Sequence, residues 1–244
     1  SVASRGLGDV YKRQGVAMSF LFLSKDVCPF CSQVADGAYG LCRSCTDALE
    51  PVGACHSLPT TPPFYSFSAY FYNRFLRDHF SAYKFQRQTV YESVFCAMLS
   101  AYVRQHPLLS RLRWVSFIPQ THRNEVLRAS NPAAAFAARL SGDLHIPLRP
   151  LLEKAGHRRA QKKAGALERI RNVEGAFCSL PDALRQPPSG VGILCDDFYT
   201  TGHTMQEGLS TLYANGLYAV GLTLACVRYP TPEEQERKDT PSKD

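Results

Sequence analysis

No apolar run in this chain is long enough to cross a bilayer: the longest early one, Phe20 to Leu23, falls far short of the roughly 20 residues a span requires. Membrane insertion is therefore not expected. Features of a secretory signal are also missing, since no basic stretch leads through a long apolar core to a small-residue cleavage site, and the expected location is cytoplasmic. There is no internal repeat. Charged residues make up only 20% and apolar residues 45%, which excludes a disordered or fibrous chain and fits a globular one. Acids are outnumbered by Lys and Arg, 21 to 28, leaving a net charge of +7. That balance favours polyanions such as phosphates, nucleic acid or anionic lipid without choosing among them. Without a secretory signal the nine cysteines do not read as a disulfide framework; they are expected as reduced thiols, serving as metal ligands or small buried groups.

The 244 residues suffice for one α/β domain and a small appendage. Residues 1–17 show no apolar period and precede Met18, and are expected to be a non-native leader. Residues 18–62 hold four clustered cysteines followed by the linker-like SLPTTPP, which places a boundary near Pro62. Residues 63–229 alternate between strand and helix signals. Strands are expected over Phe64–Tyr72, Trp114–Ile118, His145–Leu148, Val191–Cys195 and Leu217–Val227. Helices are expected over Phe75–Phe85, Val90–Val103, the alanine-rich run from Pro132 to Leu140, and Met205–Asn215. Such alternation predicts an α/β fold with a parallel sheet flanked by helices. Residues 230–244 are polar and expected to be disordered. Between Arg149 and Arg171 eight Lys/Arg face two acids, a stretch expected to be exposed.

Chemistry concentrates in Val191 to Thr204, VGILCDDFYTTGHT. A buried-type strand ends at Asp196 and Asp197 and runs through Thr200, Thr201, Gly202, His203 and Thr204 into a helix. Ligands of open α/β sheets bind beyond strand carboxyl ends, and free N–H groups at a helix start favour an anion. Gly202 permits a tight turn and the threonine hydroxyls add donors, so a phosphate is expected in the loop. Two adjacent carboxylates repel a phosphate; ribose hydroxyls and a Mg²⁺ ion suit them better. The parts together describe a grip for a phosphorylated ribose.

The pattern of apolar strand, two acids and TTG-x-T resembles the type I phosphoribosyltransferases. That resemblance implies that Asp196 and Asp197 hold the ribose hydroxyls at the catalytic centre, and that Thr200, Thr201, Gly202, His203 and Thr204 hold the 5′-phosphate of phosphoribosyl diphosphate. Three further blocks resemble the ComF family, which includes competence-associated and GntX-like proteins. The first is Phe117-Ile118-Pro119-Gln120 with His122-Arg123 and Arg128-Ala129-Ser130-Asn131, which by analogy forms a pyrophosphate loop with Arg123 and Arg128 as anion contacts. The second runs through Gln161, Arg169 to Asn172 and Gly175 to Phe177, where type I enzymes carry a loop that closes over the site; Arg158, Arg159 and Lys163 are its candidate cations. The third is the short Lys84-Phe85 element.

Cys28-x₂-Cys31 and Cys42-x₂-Cys45 have the spacing that supplies four thiolates to a tetrahedral, structural Zn²⁺. ComF-like proteins have a zinc-ribbon-like N-terminal module, and the resemblance extends to these knuckles. Cys55 or His56 could join as a ligand. Cys96, Cys178, Cys195 and Cys226 sit in apolar contexts and are expected in the core. His79, His106 and His145 are isolated and carry no chemical signal.

The leading expectation is thus a Mg²⁺-dependent phosphoribosyltransferase, a pentosyl-transferring glycosyltransferase of nucleotide-related metabolism, acting on phosphoribosyl diphosphate or a related ribose phosphate. The alternative, implied by the ComF resemblance, is a non-catalytic module of DNA uptake that binds single-stranded DNA through its zinc module and basic segment beside a ComFA-like helicase.

Overall fold

The computed structural model describes residues 26–52, 55–86, 90–120, 131–155, 176–180 and 185–228. The leader expected at 1–17, the tail at 230–244, and Arg123 and Arg128 lie outside the described residues, as does the basic stretch beyond Ala155. The chain forms two compact units, Ser1–Ala48 and Leu49–Asp244.

The described part of the first unit is short. A bridge between Val27 and Val34 closes a turn, a 3₁₀ turn covers Ala38–Gly40, and helix α1 covers Arg43–Asp47. Its buried side chains are Cys28, Leu41, Cys42 and Cys45. Among the described residues of this unit the buried apolar area is thus small, the circumstance in which small modules depend on a metal.

The second unit is built on a five-stranded sheet in the order β1-β2-β7-β6-β3, comprising β1 Cys55–Leu58, β2 Phe64–Phe71, β3 Val115–Phe117, β6 Val191–Tyr199 and β7 Tyr218–Cys226. Only β1 is antiparallel; β2, β7, β6 and β3 run parallel. Ile193, Leu194 and Cys195 of β6 and Leu222, Leu224 and Ala225 of β7 are wholly buried, as expected for central strands covered on both faces. Between β2 and β7 the buried Ser68 and Thr223 hydroxyls satisfy each other at 2.8 Å.

Helices α2 Arg74–Gln86 and α3 Val90–Gln105 join β2 to β3, and α4 Pro132–Leu144 follows β3. Pro132 occupies the first turn of α4, and the Asn131 side chain caps it by accepting from the Ala133 N–H at 3.1 Å. Strands β4 Leu152–Lys154 and β5 Phe177–Ser179 pair antiparallel as a separate ribbon. Helix α5, His203–Ala214, links β6 to β7 and lies close to the sheet, because a Cβ on Gly208 would come within 2.7 Å of Ile118 Cδ1 and 2.8 Å of Leu194 Cδ2. No helix of the described residues is long and apolar enough to cross a membrane.

Several expected boundaries shift. Cys55–Leu58 is a strand in register with Phe64–Phe67, so the linker expected after Cys55 begins as part of the sheet, where pairing satisfies its backbone. His145 is the left-handed C-cap of α4, φ 55°, and only Leu148 bridges to Val115, leaving the expected strand 145–148 as a single pairing. Cys178 is not a core thiol: it sits half-buried on β5, 3.5 Å from Glu153 Oε1, because the two-stranded ribbon has one open face. Cys96, Cys195 and Cys226 are buried as expected.

Candidate functional site

The site lies where two crossovers part. From β3 the chain passes through α4 and returns at Leu148, which pairs with Val115 on the side of β3 away from β6. From β6 it passes through α5 and returns as β7 on the opposite side. Neighbouring parallel strands whose connections diverge leave a crevice beyond their carboxyl ends, the usual ligand position in open α/β sheets. Ile118 to Gln120 border it after β3, and Asp196 to Thr204 border it at the end of β6.

Strand β6 continues to Tyr199, so Asp196 and Asp197 belong to the strand and not to the turn after it. Pairing with β3 stops at Cys195, whose carbonyl accepts from the Ile118 N–H at 2.9 Å, while pairing with β7 continues. The acids then serve their own backbone. Asp196 Oδ1 accepts from the Asp197 N–H at 2.8 Å, and Asp197 Oδ1 from the Phe198 N–H at 2.7 Å. One oxygen of each carboxylate is thereby fixed, and the other is left for a partner.

The two acids have different electrostatic neighbours. Lys84, near the end of α2, places its ammonium on Asp197 Oδ2, with the two side chains only 14% and 19% exposed. That ammonium also lies 4.9 Å from the Phe80 ring centre and 5.5 Å from that of Phe198, within cation–π range. Asp196 forms no salt bridge among the described residues. Burial pushes its carboxyl up to about 8, and the neighbouring Asp197 charge adds to the rise; the Asp197 N–H and the positive charges of Lys84 and Lys154 oppose it. A carboxyl so raised is a ready receiver for a cation or a hydroxyl.

Beyond Tyr199 the chain turns at Gly202, in the left-handed region at φ 81°. The turn rests on the Tyr199 ring: a Cβ on Gly202 would stand 2.5 Å from Tyr199 Oη and 2.9 Å from Leu58 Cδ2. Tyr199 is in turn stacked flat on His56, ring centres 4.2 Å apart at 7°. Thr200, Thr201, His203 and Thr204 are exposed. His203 Nδ1 lies 2.7 Å from Thr201 Oγ1, and no side chain caps α5. The helix's first bond runs from the Gln206 N–H to the Gly202 carbonyl, so the N–H groups of His203, Thr204 and Met205 have no acceptor within the helix. They and the helix dipole favour an anion in front of the loop.

At the start of α4, Asn131 is tied back to the end of β3, donating through Nδ2 to the Ile118 carbonyl at 3.0 Å. On the β4–β5 ribbon, Lys154 is near enough to act electrostatically on Asp196. Of the expected site residues, Asp196, Asp197 and Thr200 to Thr204 are contiguous at the end of β6. Sequence reasoning missed Lys84 as a site residue and counted Lys154 only among the basic residues of 149–171, without linking it to the site. Lys84 had shown only as half of a dipeptide resemblance, and no local pattern links it to an acid 113 residues away.

The metal-ligand cluster is in the first unit. The sulfurs of Cys28, Cys31, Cys42 and Cys45 all lie within 4.8 Å of one another, compatible with corners of a tetrahedron around Zn²⁺ at about 2.3 Å per bond. The Ser32 N–H donates to the Cys28 carbonyl at 2.9 Å and the Cys45 N–H to Cys42 Sγ at 3.4 Å, which turns each knuckle inward. Burial acts to raise the Cys28 thiol, but the backbone N–H groups of Cys42, Cys31 and Phe30 outweigh it and bring it down to about 7. Burial pushes Cys45 up, and the neighbouring sulfurs add to this. All-sulfur donors suit a structural Zn²⁺, and the four could hold one without Cys55 or His56, which lie in β1.

No protein-family model and no curated protein matches the sequence. Solved structures that align with it include the adenine phosphoribosyltransferase of Leishmania donovani, at 12% identity over 90% of this chain and 79% of that one, TM-score 0.38. Another is the orotate phosphoribosyltransferase of Aeropyrum pernix, at 21% identity over 71% and 76%, TM-score 0.35. A third is the adenine phosphoribosyltransferase of Leishmania tarentolae, at 15% identity over 66% and 68%, TM-score 0.37. Superpositions this loose assign no residue and no activity.

Proposed function

We propose that this chain is a ComF-like, Mg²⁺-dependent protein of the phosphoribosyltransferase type that grips phosphoribosyl diphosphate at the end of β6. One observation carries the reading: two adjacent carboxylates, Asp196 with one oxygen in no hydrogen bond or salt bridge among the described residues and Asp197 paired with Lys84, precede an uncapped helix start across a Gly202 turn, at the point where the β3 and β6 crossovers part. Asp196 and Asp197 take the ribose 2′- and 3′-hydroxyls, and the N–H groups and hydroxyls of Thr200 to Thr204 take the 5′-phosphate. A Mg²⁺ ion bound beside the acids would neutralise pyrophosphate charge. Arg123 and Arg128, which lie between β3 and α4 outside the described residues, are proposed for the pyrophosphate.

The reaction proposed is displacement at ribose C1. A nucleophilic nitrogen of the acceptor forms a bond to C1 as the bond from C1 to the pyrophosphate oxygen breaks, and pyrophosphate leaves with that electron pair. The chain's part is positioning and charge balance through an oxocarbenium-like state. Residues 18–62 are proposed as the zinc-ribbon-like module with its linker and 63–229 as the catalytic domain, in a cytoplasmic protein. The single-stranded-DNA alternative depends on Arg158, Arg159, Lys162 and Lys163, which lie outside the described residues.

Calorimetric titration with phosphoribosyl diphosphate in Mg²⁺ is expected to show binding that the double variant Asp196→Asn, Asp197→Asn loses, with pyrophosphate released for one member of a nucleobase panel. Equal heats for wild type and the double variant would overturn the grip. Binding with no pyrophosphate from any base would remove the catalytic step and keep the ligand.

A further inference from the structure

We infer that Lys84 is the built-in cation of this site: its ammonium stands on Asp197 where a divalent metal would otherwise sit, so Asp197 is charge-balanced before any ligand arrives and a ribose monophosphate binds without metal. The inference rests on the sugar-phosphate reading above and extends it to how the site is charged.

The placement is costly to build and therefore informative. Lys84 and Asp197 are more than four-fifths shielded, so this is not an exposed pair of negligible weight. Taking both charges out of water is unfavourable unless they meet each other. The aromatic groups around the pair keep water away: Phe80 packs on Phe198 at 4.3 Å, Phe198 on Tyr72 at 4.4 Å, and the ammonium lies over the first two rings. Helix α2 also ends beside Lys84, and its carbonyl dipoles favour a cation there. Asp197 Oδ1 is held by the Phe198 N–H, so Lys84 and any metal contend for the one remaining oxygen. Two cations at one carboxylate oxygen repel. Asp196, with no salt bridge among the described residues, is left to the ribose.

A purely mechanical tie between α2 and β6 would affect stability alone, whereas a fixed cation controls metal affinity. The test uses the full, zinc-loaded chain. In the absence of any sugar phosphate, Mn²⁺ followed by paramagnetic resonance is expected to bind wild type weakly and the Lys84→Met variant about tenfold or more tightly, the size of one charged contact. Adding Asp197→Asn should cancel the gain, and Lys84→Arg should behave as wild type. Should the Met variant fold poorly, Lys84→Gln, which keeps a polar contact but no charge, is expected to give the same shift. Unchanged Mn²⁺ affinity, or a gain that survives Asp197→Asn, overturns the inference.

In resin-treated, metal-free buffer, ribose 5-phosphate should bind wild type, bind Lys84→Met about tenfold more weakly, and recover with Mg²⁺ in the variant. A wild type that binds only with Mg²⁺ overturns the inference. If neither protein binds ribose 5-phosphate or phosphoribosyl diphosphate under any condition, the sugar-phosphate reading fails, and the Mn²⁺ series still decides whether Lys84 holds the metal position.

Discussion

Replacing Gly202 by alanine strains the proposed phosphate loop in two separable ways. The residue sits at φ 81°, where an L side chain costs about 1–2 kcal/mol. The new methyl would also stand 2.5 Å from Tyr199 Oη and 2.8 Å from Tyr199 Cζ. Tyr199 is 8% exposed and pressed against His56, so it has little room to retreat. Forcing such a contact costs about 1–3 kcal/mol, for a total of roughly 2–5 kcal/mol. Gly216 is the internal control: its φ is 75° and nothing lies within 4 Å of a Cβ built there, so Gly216→Ala should lose about 1–2 kcal/mol only. Urea denaturation of the two variants measures the difference directly, and calorimetry on Gly202→Ala should show weakened phosphoribosyl diphosphate binding as the loop is displaced. Combining Gly202→Ala with Tyr199→Ala should return about 1–3 kcal/mol of coupling. Equal losses at Gly202 and Gly216, with no coupling to Tyr199, would falsify the steric account of the loop.

Two other expectations concern charge and metal. Asp196 holds its proton up to about 8 in the folded chain, far above the roughly 3.9 of an unfolded aspartate. The folded state therefore binds more protons in between: the group's contribution to stability is complete below about pH 4 and is lost as pH rises through about 8. Asp196→Asn should flatten that decline in pH-dependent unfolding, and wild-type affinity for Mg²⁺ with phosphoribosyl diphosphate should increase from about pH 6 to about pH 8.5 as the carboxyl ionises; a decrease over that range would contradict the assignment. Metal analysis should find about one zinc per chain, lost in Cys28→Ser, with the remaining thiols of the cluster becoming reactive to a thiol reagent; a variant that keeps its zinc would exclude Cys28 as a ligand.

What the linear chain determined is what its neighbours in sequence could express. The run of buried residues into Asp196 and Asp197, the glycine turn before α5, and the two C-x₂-C knuckles are each contiguous, so strand periodicity, turn chemistry and ligand spacing made them legible. The alternation of elements likewise disclosed a parallel sheet, because period-two and helical patterns are local. The ends of those elements were less legible: β6 runs on to Tyr199 because β7 still pairs with it, and Cys55–Leu58 became a strand because β2 offered an edge. Tertiary structure decided everything that depended on residues far apart meeting. Strand order set the divergence beside β3 and β6, the stack of His56 under Tyr199 set the floor of the loop, and α2 delivered Lys84 to Asp197. No propensity records such meetings, since the energy that selects them comes from burying apolar surface and matching charge across the whole fold.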